Sequence, residues 1–434
     1  MPTPAKQVVA VATSGGRDST ALLHATVRAA ARLGVEVVAL HVHHGLNPHA
    51  DQWQAHIRRQ CARWARAGLP VRFDCRRLMG APSAGESVEA WARKGRYRAL
   101  AEMAHGAGAD LVLLAHHQQD QAETVLLQAL RGAGPSGLAA MPHDIDRAGI
   151  RWCRPWLAQG PAAIQAYVLR HRLTHIEDGS NHDTRFDRNR LRHAVWPALV
   201  AGFPQAQAAL ATVARQAQSA AALIDEIAAA DLAALGAGVA LPVAGWRQLS
   251  AARQRFVLRH WLQLRLRGGA PEPLLERLLS EVHGTRPGRW PVDGTRELRA
   301  YRGELSLGAA SPEAWAPKAV PASFLRPGLN ELPDWGGRME MRAVGQGGVQ
   351  PALLAAAMLR PRQAGDDFQF EPRSQSRSLK KQFQAAAVPA WARSGPVVAS
   401  AQQTLYVPGL GMDARCWAPP GELQWRLDWH PDPL

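Results

Sequence analysis

Six consecutive residues, Ser14-Gly15-Gly16-Arg17-Asp18-Ser19, constrain this chain more than any other stretch. They follow an apolar run at 8–12 and precede a helical pattern at 20–33. A strand, a Gly-Gly turn and a helix start together form a phosphate cradle. Glycines let the backbone approach an anion, and the helix start offers unpaired N–H groups at the positive end of its dipole. Ser14 and Ser19 can add hydroxyl donors. Asp18 would repel phosphate unless Mg2+ stands between them, so the six residues predict a metal-bound nucleotide. The plain alternative is a Gly-Gly turn with Asp18 or Ser19 as helix cap. No G-x-x-x-x-G-K-[ST] occurs, and no G-x-G-x-x-G follows this strand.

Strand patterns at 7–12, 35–41, 71–75 and 111–115 alternate with helical ones at 19–33, 51–67, 87–105 and 119–131. That alternation predicts an α/β domain, a parallel sheet with helices on both faces. Ligands of such sheets sit at the carboxyl ends of strands, where the segments at Ser14, His41 and His116 should converge.

The chain has 434 residues, enough for two to four domains. Its net charge of +15 favours a polyanionic partner, which for an enzyme points to nucleic acid. Only five of the 51 basic residues are lysine, a bias that coding composition can also produce, so charge is supporting evidence. The four cysteines are scattered without a CxxC pair, against a disulfide scaffold or a cysteine-rich metal site. No signal-peptide shape and no apolar stretch of about 20 residues is present, so no membrane association and a cytoplasmic location are expected.

The expected domains are a catalytic domain at 1–204, a mainly helical middle domain at 205–308, a proline-rich linker at 309–325 and a small α+β domain at 326–434. Within the middle domain, 289–307 reads as a hairpin with Asp293-Gly294 at its turn.

A second motif, from Ala115 through His116, His117, Asp120 and Glu123 to Thr124, follows a strand and opens a helix. Asp120 and Glu123 lie one turn apart and could share a face, holding Mg2+ or a substrate amine. A zinc site is disfavoured, because adjacent histidines point apart and no third ligand is evident. Acidic residues also suit a helix start without any function.

These motifs, taken in order, resemble the tRNA(Ile)-lysidine synthetases of the PP-loop ATP pyrophosphatase superfamily. The first matches the superfamily's SGGxDS loop, and the second matches HHxDDQAET followed by LLRGSG. His41 to Leu46 matches HVHHGL, Arg93 to Tyr97 matches ARxxRY, and Arg154 to Leu157 resembles RPLL. Glu177 to Asn181, with Arg188-Asn189-Arg190-Leu191-Arg192, resembles EDxSN…RNxxR. Lys380-Lys381 with Phe383, and Val388 to Arg393, look like KLKKxF…VPxWxR. One departure from the pattern bears on the chemistry: Gln119 stands where the family has the first of two adjacent acids.

The resemblance implies that ATP adenylates the C2 oxygen of the wobble cytidine in a tRNA(Ile) with a CAU anticodon. The ε-amine of free lysine then expels AMP. Ser14, Gly15, Gly16, Arg17, Asp18 and Ser19 would hold the pyrophosphate, and Asp18 with Asp120 would position Mg2+. Asp120, Glu123 and His116 are, in that order, candidates to accept the amine's proton. Arg188 and Arg192 would hold phosphate or the lysine carboxylate, or else pair as surface ions. Arg96, Arg131, Asn189, Lys380, Lys381, Trp391 and Arg393 are expected among the substrate and tRNA contacts, with Trp391 alternatively a core residue. A homodimer is the oligomeric expectation. The rival readings are a thiolase-type PP-loop enzyme and a catalytically weak RNA-binding homologue.

Overall fold

The computed structural model describes residues 7–45, 47–81, 88–179, 183–266, 268–310, 317–400 and 403–432. Leu46, Ser180 and Asn181 of the motifs above, and 311–316 of the expected linker, lie outside them. The chain forms two compact units, Met1–Ile227 and Ala228–Leu434. The expected boundary after residue 204 falls just before a long helix, Ala206–Ala234, and the units divide within that helix.

The first unit opens with β1 (Val8–Ala12), α1 (Arg17–Leu33), β2 (Glu36–His43), α2 (Ala50–Arg66), β3 (Val71–Arg77), α3 (Val88–Gly106), β4 (Ala109–Leu113) and α4 (Gln118–Leu130). The short α5 (Pro135–Leu138), β5 (Asp144–Arg147), β6 (Ile150–Cys153), α6 (Pro161–Arg170) and α7 (Asp187–Arg190) follow, then a π-type turn, Leu191–Val195. The sheet order is β3-β2-β1-β4-β6-β5, parallel except for the β5–β6 hairpin. The sequence reading contained neither β5 nor β6.

Helices cover both faces, as the apolar runs require. Val11, Val37 and Ala39 pack with α1, α2 and α6, while Ala10, Val38 and Leu40 pack with Ala99, Leu100 and Met103 of α3. Gly34 ends α1 at φ +70°, its N–H returned to Ala30 O, so the chain turns directly into β2. Because β1 lies between β2 and β4, the connections leaving β1 and β4 part company there. In parallel sheets, the carboxyl ends of strands at such a switch are where ligands bind.

In the second unit, the end of the long helix, with helices Val243–Gln248, Ala251–Gln263 and Glu272–Glu281, packs around Trp246, Trp261 and Leu258. A four-stranded sheet completes this region. The expected hairpin is two hairpins in succession: Gly288–Pro291 turns at Asp293 into Arg296–Tyr301, which turns again at Arg302-Gly303 into Glu304–Ala309. Asp293 Oδ1 accepts the backbone N–H groups of Thr295 and Arg296, both at 2.9 Å. The remainder is mostly β, with a five-stranded and a three-stranded sheet around Met339, Leu359, Leu405 and Leu427. Part of the segment expected as linker is folded: Val320 pairs with Leu359, and Ala322 and Leu325 are buried in that core. No helix among the described residues is long and apolar enough to cross a membrane.

Candidate active site

The loop after β1 is knitted into a closed ring of hydrogen bonds. Gly16 N–H donates to Ser14 Oγ (3.3 Å), and Ser14 and Ser19 join through their hydroxyls (3.1 Å). Ser19 in turn donates to Gly16 O (3.1 Å). Gly15 sits at φ +84°, and a Cβ there would lie 2.4 Å from Ile176 Cδ1. Only glycine fits both constraints. The cap of α1 is Gly16, with extended backbone and no side chain over the helix start, so neither Asp18 nor Ser19 caps it. The first N–H groups of α1 thus have no side-chain cap, the arrangement in which a helix start can receive an anion. The two serine hydroxyls shape the loop from inside it.

Arg17 turns away along the surface, its Nε on Asp18 (2.8 Å) and its Nη1 on Gln165 of α6 (3.1 Å). Asp18 also faces His117, which lies just before α4, across the switch between β1 and β4. His117 Nε2 stands 3.5 Å from Asp18 Oδ2 and 3.6 Å from Asp120 Oδ2. His117 Nδ1 accepts Gln119 N–H (3.2 Å), so a neutral imidazole carries its proton on Nε2, between the two carboxylates. The cap is reciprocal, because Asp120 Oδ2 accepts His117 N–H at 3.0 Å. Burial raises the Asp18 carboxyl, but hydrogen bonds from His117 and Arg17 outweigh it and leave the pKa lowered. Asp120 behaves likewise, with burial opposed by His117 and Arg188.

His116, the histidine expected to act, is held differently. Its Nδ1 is buried with no hydrogen-bond partner. Burial pushes its pKa down to about 3; Asp120 opposes the shift, and Arg154, Arg188 and Arg96 add to it. An imidazole so placed is neutral and a feeble proton acceptor near pH 7. His117 was missed because both histidines read alike in sequence. The helix start at Gln118 was the available signal, since it makes His117 the cap.

Arg188 on α7 and Arg192 in the π-type turn both reach α4. Arg188 donates to Asp120 Oδ1 (2.7 Å) and Glu123 Oε2 (3.0 Å). Arg192 donates to Glu123 Oε1 and Oε2 (both 2.8 Å) and to Asp120 Oδ1 (3.3 Å). The expectation that Asp120 and Glu123 share a face is thus met, and each arginine bridges the two. Asn189 secures the local turn through Asp183 O at 3.0 Å. Arg131 pairs with Asp187 at the surface, 3.3 Å away. Arg96 lies half-buried over the Tyr97 ring, with burial lowering its pKa.

The later candidates belong to the second unit. Lys380 and Lys381 are exposed on the helix Leu379–Ala385, which is anchored by buried Leu379 and Phe383. Trp391 lies under the Arg299 guanidinium, 5.1 Å from its ring centre, and meets the Tyr301 ring edge-on at 5.7 Å. Arg393 donates to Val388 O at 3.0 and 2.7 Å and covers Phe383. Trp391 and Arg393 are therefore engaged in the protein's own packing.

Comparison with known proteins decides the family. Residues 2–199 match a PP-loop domain, 241–306 a TilS substrate binding domain and 357–429 a TilS substrate C-terminal domain. A tRNA(Ile)-lysidine synthase of Ralstonia nicotianae is 39% identical, over 98% of this chain and 92% of its own. Those of Alkalilimnicola ehrlichii and Pseudomonas aeruginosa are each 36% identical, over 95% and 97% of this chain and 91% and 93% of theirs. The chain belongs to the tRNA(Ile)-lysidine synthase family. The PP-loop match spans β1 through the π-type turn, and so covers both the loop after β1 and the Asp120 cluster. Its substrate binding domain match covers the Trp246 core. Asp18, at an uncapped helix start, and Asp120 supply the hard oxygens that Mg2+ takes alongside phosphate and water, so the residues present fit that ion.

Proposed function

We propose that the protein ligates free lysine to C2 of the wobble cytidine of tRNA(Ile) with a CAU anticodon, consuming ATP, in the cytoplasm. In the first half, the cytidine C2 oxygen attacks the α-phosphorus and pyrophosphate leaves. The uncapped start of α1, in the ring formed by Ser14, Gly16 and Ser19, receives the departing charge. Its fixed N–H dipoles need no reorganisation as that charge develops, which is the largest lever in phosphoryl transfer. Mg2+ held by Asp18 and Asp120 would neutralise phosphate oxygens. In the second half, the lysine ε-amine attacks C2, and AMP leaves with the former C2 oxygen. Asp120, held ionised, is suited to draw in the ammonium group, which gives one proton to solvent before the neutral amine attacks. As the C–N bond forms and the nitrogen becomes acidic, Asp120 accepts the second proton. Glu123 is saturated with donors and serves to hold Arg188 and Arg192. These arginines steady the anionic end of a substrate when they exchange partners.

The observation that supports this reading is the contact of His117 with both Asp18 and Asp120, which joins the loop proposed to receive the anion to the carboxylate proposed to receive the amine. The test is incorporation of labelled lysine into tRNA with ATP and Mg2+. Incorporation should depend on ATP and vanish in Asp18→Asn. AMP formation stimulated by tRNA without lysine uptake would overturn the choice of nucleophile.

A further inference from the structure

Gln119 departs from the family's motif, and its geometry gives it a task. Its Nε2 donates to Glu123 Oε1 at 3.0 Å, one helical turn along α4. Glu123 is completely buried. Arg192 Nε also donates to Oε1, while Arg188 Nε and Arg192 Nη2 share Oε2. Four donors thus fill the carboxylate, which accepts about four hydrogen bonds when ionised. With both Nε groups fixed on Glu123, the Nη2 groups of Arg188 and Arg192 are aimed at Asp120 Oδ1.

We propose that Gln119 is a positioning residue for the lysine step: its amide completes the shell of Glu123, and so fixes the two arginines that orient Asp120. The proposal rests on the lysidine reading. An aspartate at this position would be one carbon shorter and could not donate. It would also set a third carboxylate beside Asp120 and Glu123, which already share Arg188 and Arg192. The glutamine therefore replaces a charged acceptor with a donor that Glu123 uses.

The experiment is steady-state lysine incorporation across about pH 6 to 9 with wild type, Gln119→Met and Gln119→Glu. Both substitutions preserve length. The methionine variant lacks the donor, so its KM for lysine should rise roughly tenfold to a hundredfold, as expected when a charged group loses a hydrogen bond. Its KM for ATP should stay within about twofold, since the anion-binding loop makes no use of this contact. In the glutamate variant the introduced carboxyl is ionised across this range and opposes Glu123, so its KM for lysine should rise at least as far at every pH. A merely structural contact would lower thermal stability without a lysine-specific KM change. An unaltered KM for lysine in the methionine variant overturns the proposal, even if the glutamate variant fails to fold. A wild type that incorporates no lysine overturns the lysidine reading, and the proposal with it. Incorporation by wild type with an indifferent methionine variant overturns the proposal alone.

Discussion

His117 Nε2 lies 3.5 Å from Asp18 Oδ2, so the cap of α4 touches the first turn of α1. The two helices begin at the ends of neighbouring strands β1 and β4, and this contact ties the loop after β1 to the start of α4. Replacing His117 with alanine removes the cap, at about 1 kcal/mol, and releases both carboxylates. The expected result is a loss of lysine incorporation well beyond what the small fall in thermal midpoint explains.

The same contact sets a pH dependence. The folded pKa of Asp18 lies below its ordinary value of 3.8. Its contribution to stability is therefore complete above that value and is lost as pH falls through the folded pKa. In His117→Ala the Asp18 pKa should rise, moving the acid limb of kcat/KM for ATP to higher pH. An unmoved acid limb would show that Asp18 is not the group that limits activity there.

Gly15→Ala tests the cradle. A residue with a Cβ at φ +84° is strained by about 1–3 kcal/mol, before the clash with Ile176 is counted. A thermal midpoint lower by roughly 2–10 °C, with ATP binding reduced in calorimetry, is the expected outcome.

Trp391 and the lysines separate packing from RNA contact. Trp391→Ala should lower the thermal midpoint, because an edge-on ring pair and a cation–π contact are lost, each worth about 1 kcal/mol. It should leave the salt dependence of tRNA affinity unchanged. The double substitution Lys380→Ala/Lys381→Ala should do the reverse, flattening the slope of log K against log salt by up to about two. A flattened slope in the tryptophan variant would count against its role as packing.

Burial pushes the thiols of Cys61 and Cys416 up to about 12 and that of Cys153 to about 11. Thiols this reluctant to ionise alkylate slowly at neutral pH. Incubation with iodoacetamide near pH 7.5 should leave activity intact, whereas rapid inactivation would revive sulfur chemistry of the thiolase kind.

How much of this was legible in sequence depended on the kind of signal each residue carries. β1, β2, β4 and the helices after them were readable because continuous apolar runs and 3.6-residue spacing survive in a single sequence. The β5–β6 hairpin was not. Its two-residue turn is Ala148-Gly149, both at positive φ, and alanine there lacks the Asn-Gly or Asp-Gly signature. Arg302-Gly303 hid the second middle-domain hairpin in the same way. In the site, residue types and spacing marked the acids and arginines, but only three dimensions show that Arg188 and Arg192 close upon Asp120 and Glu123. The choice between His116 and His117 turned on where α4 begins, a boundary that pattern leaves uncertain by a residue or two.

The four-charge cluster on α4 has one more consequence. Asp120 and Glu123 pair with Arg188 and Arg192, so these four charges largely cancel one another at long range while they stay paired. Long-range capture of RNA by this +15 chain must then be the work of arginines and lysines elsewhere. A polyanion is gathered over distance by the surface, whereas a group that engages Arg188 or Arg192 must first displace their carboxylate partners.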